Sequence, residues 1–78
     1  MEFGLEKNVH MQNHRLSISH NGRVYVGIIE DGWDRNSLLI WLKDFGIPAA
    51  DEAEVRYALY RWLSSEGYSC RFMEGRRL

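Results

Sequence analysis

Two alternating apolar segments joined by Asn21-Gly22 predict a β-hairpin over residues 15–29. Asn-Gly between alternating runs is a strong hairpin signal, because both turn positions require a positive φ angle. A two-residue loop would pair Ile18 with Tyr25, and Gly27 would leave a gap on the face that they share. The apolar positions expected on that face are Leu16, Ile18, Tyr25 and Ile29.

Helical spacing of apolar residues follows in two segments, 34–45 and 51–66. The two predicted inward stripes are Leu38, Trp41, Leu42 and Phe45, and then Val55, Ala58, Leu59 and Trp62. Asp34 is a typical N-cap residue, and Asp51 with Glu54 fits a capping box. Gly46 and Gly67 suit the left-handed position that follows a helix. We therefore predict a helix in each segment.

The chain closes with a predicted third strand, because Tyr68, Cys70 and Phe72 alternate with Ser69, Arg71 and Met73. The expected fold is α+β in the order ββααβ: a small antiparallel sheet of about three strands with two helices packed on one face. A single domain is expected over 15–78. Residues 1–14 are expected to be a flexible leader; alternatively, Phe3, Leu5 and Val9 add a short strand.

Composition and charge narrow the class of protein. The chain has 78 residues, of which 45% are hydrophobic and 13% aromatic, and these values are typical of one folded domain. A net charge of −1 argues against bulk attraction to nucleic acid or anionic lipid. Seven acidic and two basic residues lie within 30–54. These acids either stabilise helix N-termini or attract a basic partner.

The single cysteine and the lack of a long apolar run predict a cytoplasmic protein. Cys70 is the only cysteine, so an internal disulfide and a cysteine-based zinc site are both excluded. We expect it to be an unreactive core residue. No apolar run approaches the length of about 18 residues that a membrane span requires.

The titratable clusters do not indicate an enzyme, a metal site or a cofactor. His10 and His14 have the i,i+4 spacing of metal ligands on a helix, but they and His20 lie where no helical stripe occurs. A turn followed by an N-cap explains Glu30-Asp31-Gly32-Trp33-Asp34 without catalysis.

Some large residues lie outside the helical stripes and indicate a protein contact surface. The candidate contacts are Ile40, Tyr57 and Tyr60, together with Glu30, Asp31 and Trp33 in the acidic turn. The alternative for Ile40 is burial between the two helices. In size and mixed topology the chain is similar to small stand-alone regulators and inhibitors of bacteria and their phages, and no residue motif assigns it to a family. We therefore expect a non-enzymatic module that occupies the surface of a partner protein.

Two other partners follow from different features. Arg71, Arg76 and Arg77, with Tyr68 and Phe72 nearby, would suit a regulator that contacts nucleic acid, although the acidic segment before them opposes it. An exposed sheet edge would allow a homodimer.

Overall fold

A computed structural model describes residues 1–77, and in this range the chain forms one α-helix and one five-stranded mixed sheet. The strands are β1 (Glu2–His10), β2 (Asn13–His20), β3 (Arg23–Asp31), β4 (Ser37–Ile40) and β5 (Ser69–Phe72), and the helix α1 is Glu52–Ser65. The 3-10 segments Leu42–Phe45 and Ala49–Asp51 connect β4 to α1. The sheet order is β1-β2-β3-β4-β5, antiparallel except for the parallel pair β4 and β5. Leu78, the last residue of the predicted domain, lies outside the described residues.

The predicted fold of three strands and two helices in the order ββααβ is wrong, and much of the error lies in residues 34–45. Ser37–Ile40 form β4, and Leu42–Phe45 form only a short 3-10 segment. Asn36 has a φ angle of 59°, which a continuous right-handed helix does not accommodate. The run from Leu38 to Ile40 pairs with β5. A short apolar run of this kind fits either period, and its pairing partners decide the outcome.

Residues 2–10, within the expected flexible leader, form β1. The alternative interpretation of this segment, a strand containing Phe3 and Leu5, matches the structure. Phe3 pairs with Ile18 and Leu5 with Leu16, and both packed side chains enlarge the core. The register shifts between Glu6 and His10, where a bulge interrupts the pairing.

The predicted hairpin is confirmed in its turn and its register. Asn21 and Gly22 have φ angles of 52° and 76°, and Ile18 pairs with Tyr25. The core face is as expected, and Val24 and Val26 are exposed on the opposite face. One face of the hairpin is therefore uncovered.

The gap predicted at Gly27 is filled by an aromatic ring. A Cβ atom added at Gly27 would lie 2.6 Å from Cζ of Phe45. The 3-10 segment can therefore cross the sheet closely at this point, because glycine lacks the atom that would collide with the ring.

The second predicted helix is confirmed as α1, within a residue of its predicted bounds. Its buried residues are Val55, Leu59 and Leu63, and Trp62 is half-buried beside them. The expected side-chain cap is wrong: Asp51 precedes α1 but makes no side-chain capping hydrogen bond. The third predicted strand is confirmed as β5, although it pairs in parallel with β4.

Candidate functional site

Ile40, predicted as an exposed contact, is fully buried, with 0% of its surface exposed. The prediction fails because Ile40 belongs to a strand, in which alternate residues face the core. Leu38 and Ile40 both face inward, and Ile40 lies in the hydrophobic core with Leu59 and Leu63. It therefore contributes to stability and is not available to a partner.

Tyr57 and Tyr60 are exposed on α1, with 64% and 51% of their surfaces accessible. They are three residues apart, so their side chains are neighbours on the helix surface. The guanidinium carbon of Arg61 lies 5.8 Å from the centre of the Tyr57 ring, within the range of a cation–π contact. The two tyrosines and Arg61 form a continuous surface on the outer side of the helix.

An open groove of about 610 Å³ runs beside Tyr57, between α1 and the start of β1. We call it the aromatic groove; its lining residues are Met1, Glu2, Phe3, Tyr57, Ala58, Arg61 and Trp62. The rings of Phe3 and Trp62 lie with their centres 5.5 Å apart and their planes tilted by 34°. Sequence reasoning missed this groove, because Phe3 lies in the expected leader. The one sequence signal for the groove was the alternative interpretation in which Phe3 belongs to a short strand.

The acidic turn is separate from the aromatic groove, and two of its carboxylates are engaged within the chain. Oδ1 of Asp31 lies 2.7 Å from Nε2 of His14, and the carboxylate of Glu30 accepts a hydrogen bond from Nε of Arg77. Trp33 is 88% exposed and lines a different cleft, of about 120 Å³. The predicted contact residues therefore do not form one surface.

The basic residues near the C-terminus are only partly available for phosphate contacts. Arg77 contacts Asp44 as well as Glu30: the backbone N–H of Arg77 donates a hydrogen bond of 3.2 Å to Oδ1 of Asp44. Arg71 and Arg76 are exposed. Phe72 is partly buried against the core, and the guanidinium carbon of Arg56 lies 5.5 Å from the centre of its ring.

Two of the remaining candidate residues for chemistry, Cys70 and His14, have structural roles in or against the core. Cys70 is half-buried against the core, and this burial raises the pKa of its thiol, which favours the unreactive protonated form. His14 is buried, with hydrogen-bond partners at both ring nitrogens, and His10 is exposed.

Comparison with known proteins finds no match among protein-family models, curated proteins or solved structures. Within residues 1–77, no helix is long and apolar enough to cross a membrane.

Proposed function

We propose that this protein is a non-enzymatic binding module that occupies a partner protein through Tyr57, Tyr60 and the aromatic groove. The observation that carries the proposal is that exposed Tyr57 lines an open groove together with Phe3 and Trp62, with exposed Tyr60 three residues further along the same helix. Tyrosine, tryptophan and arginine are the residues that most often dominate protein–protein binding energy.

The rigidity of this surface supports the proposal. Val55, Leu59 and Leu63 fix the inward side of α1 in the core, so the tyrosines on its outer side stand on a fixed frame. A surface that is ordered before binding loses less conformational entropy on association. Tyrosine adds to this advantage, because it offers a large contact area with few rotatable bonds.

The groove suits a partner that presents an apolar side chain with polar neighbours. Ala58 contributes only a methyl group to the lining, so the groove has room for an apolar anchor beside its aromatic residues. Glu2 and Arg61 add one carboxylate and one guanidinium to the same lining. An apolar centre with a charged rim is typical of specific interfaces.

Occupancy of a partner's surface is a mode of action that a domain of 78 residues can perform without catalysis. We propose a regulator or inhibitor of the bacterial or phage type that acts in the cytoplasm. Its effect would come from blocking a surface that the partner uses for another interaction.

Site-specific photo-crosslinking tests the proposal and does not require the partner to be identified first. A photoreactive phenylalanine analogue replaces Tyr57 in one variant and Val26 in a control variant; both positions are exposed, and Val26 is not among the residues that line the aromatic groove. We expect a discrete cross-linked partner from position 57 and none from position 26. The same product from both positions, or from position 26 alone, would contradict the assignment of the surface. A cross-linked product that contains two copies of this chain would mean that the surface binds a second copy of the chain and not a different protein.

A further inference from the structure

Three potential metal ligands converge where the β2–β3 turn meets the start of α1. They are His20, Asp51 and Glu54; each offers one ligand atom, and these three atoms all lie within 4.8 Å of one another. His20 ends β2, whereas Asp51 and Glu54 lie at the start of α1. The fold thus brings together residues from two distant parts of the sequence.

The distances between these atoms fit a tetrahedral metal ion. Zinc bonds to nitrogen and oxygen of about 2.1 Å place neighbouring tetrahedral ligands about 3.4 Å apart. Nε2 of His20 lies 3.5 Å from Oε1 of Glu54 and 4.0 Å from Oδ2 of Asp51. The His20–Glu54 pair is thus already close to the spacing of tetrahedral ligands, and the Asp51 carboxylate must move closer to the other two ligands.

Two further features favour metal binding at this place. The side chain of His20 is only 10% exposed, so its ring is held in position facing the carboxylates. Asp51 stands where a helix-capping carboxylate is expected, yet its side chain does not cap α1 and approaches His20 instead. Its carboxylate oxygens are therefore free to bind a cation.

We propose that His20, Asp51 and Glu54 bind one Zn²⁺ ion, with water as the fourth ligand. One imidazole and two carboxylates form a mixed nitrogen and oxygen set, which suits zinc better than Mg²⁺ or Ca²⁺, because those ions prefer oxygen alone. Glu54 is the most exposed of the three ligands, so the ion and the water have access from its side.

One side chain of the protein competes with zinc at this site. Nδ2 of Asn21 lies 3.2 Å from Nε2 of His20, so zinc must displace this amide to bind that nitrogen. The inference is independent of the proposed binding surface, since neither tyrosine belongs to the ligand set.

Isothermal titration of the tag-free protein with ZnCl₂ tests the site. We expect one ion per chain with a dissociation constant in the micromolar range, and no comparable binding of Mg²⁺. His20→Gln and Glu54→Gln should each weaken zinc binding about tenfold or more, because each removes a direct ligand. His10→Gln is the matched control, since His10 is exposed and pairs with Asn13 at the opposite end of β2 from His20, and this variant should bind zinc like the wild type.

Glu54→Gln keeps the test decisive, because an exposed residue can be replaced without loss of the fold. The melting temperature of this variant without zinc should equal that of the wild type, and at the same zinc concentration the rise should be smaller in the variant than in the wild type. The proposal would be overturned if no saturable binding occurred up to about 1 mM zinc, because a site with a dissociation constant above that value would be too weak to be useful. Unchanged binding in the Glu54 variant, or loss of binding in the His10 variant, would also overturn it.

Discussion

The buried imidazole of His14 lies with Nε2 only 2.7 Å from Oδ1 of Asp31, which links β2 to the end of β3. Its other nitrogen, Nδ1, accepts a hydrogen bond of 2.8 Å from the backbone N–H of Asn8. Because Nδ1 accepts, the ring hydrogen is on Nε2 and points to the carboxylate. Asn8 has a φ angle of 55° and lies where the register of β1 shifts, so His14 satisfies an N–H group in the bulge.

We predict that His14→Leu lowers the free energy of unfolding by about 1–3 kcal/mol, because the N–H of Asn8 loses its partner in a partly buried site. Chemical denaturation monitored by tryptophan fluorescence measures this change. His10→Leu is the control, since His10 is exposed and should alter stability by only about 0.5 kcal/mol. Equal midpoints for the two variants would contradict the role of His14.

Gly27→Ala should destabilise the domain by about 1–3 kcal/mol through overpacking, since the new methyl group would meet the ring of Phe45. Phe45→Leu should relieve part of that cost in the double variant. A double-mutant cycle measured by denaturation gives the coupling. Additive effects of the two substitutions would mean that the ring does not lie over Gly27.

Ile40→Glu should lower the melting temperature by more than about 10 °C, because a buried carboxylate loses its water without gaining a partner. A loss of about 1 kcal/mol in the free energy of unfolding lowers the melting temperature of a domain of this size by about 4–8 °C. Tyr57→Glu introduces the same side chain at an exposed position and should melt like the wild type. A thermal scan of the two variants decides between burial and exposure of Ile40.

Local signals account for the parts of the fold that the sequence predicted. Asn21-Gly22 sets both the turn and the register of the β2–β3 hairpin. The stripe that contains Val55 and Leu59 is long enough to define α1. These signals depend on residues close together in the chain, so periodicity detects them.

The strands that were missed depend on pairing between distant residues. Leu38 pairs with Cys70, and no pattern within residues 34–45 contains that information. The bulge in β1 is stabilised by His14 rather than by its own neighbours. The same distinction applies to the candidate site. The helical periodicity of α1 predicted the exposure of Tyr57, whereas the aromatic groove also requires Phe3 from β1, which is distant in sequence.

Cys70 should react slowly with a thiol reagent in the native protein and rapidly after unfolding. Burial raises the pKa of its thiol above the ordinary value of 9.0, so the reactive thiolate forms only at higher pH in the folded state. Above about pH 9 the unfolded thiol ionises first, and this group then lowers stability as the pH rises. Labelling rates at several pH values check the shift, and Cys70→Ala should remove this contribution to the pH dependence.

The measurement that tests the proposed function most directly is the affinity of the cross-linked partner for surface variants. Tyr57→Ala with Tyr60→Ala should weaken binding about thirtyfold or more, since truncation of a central anchor costs about 2 kcal/mol. Val26→Ala removes an exposed side chain from the uncovered sheet face and should bind with unchanged affinity. Full affinity in the tyrosine variant, or a comparable loss in the valine variant, would contradict the account.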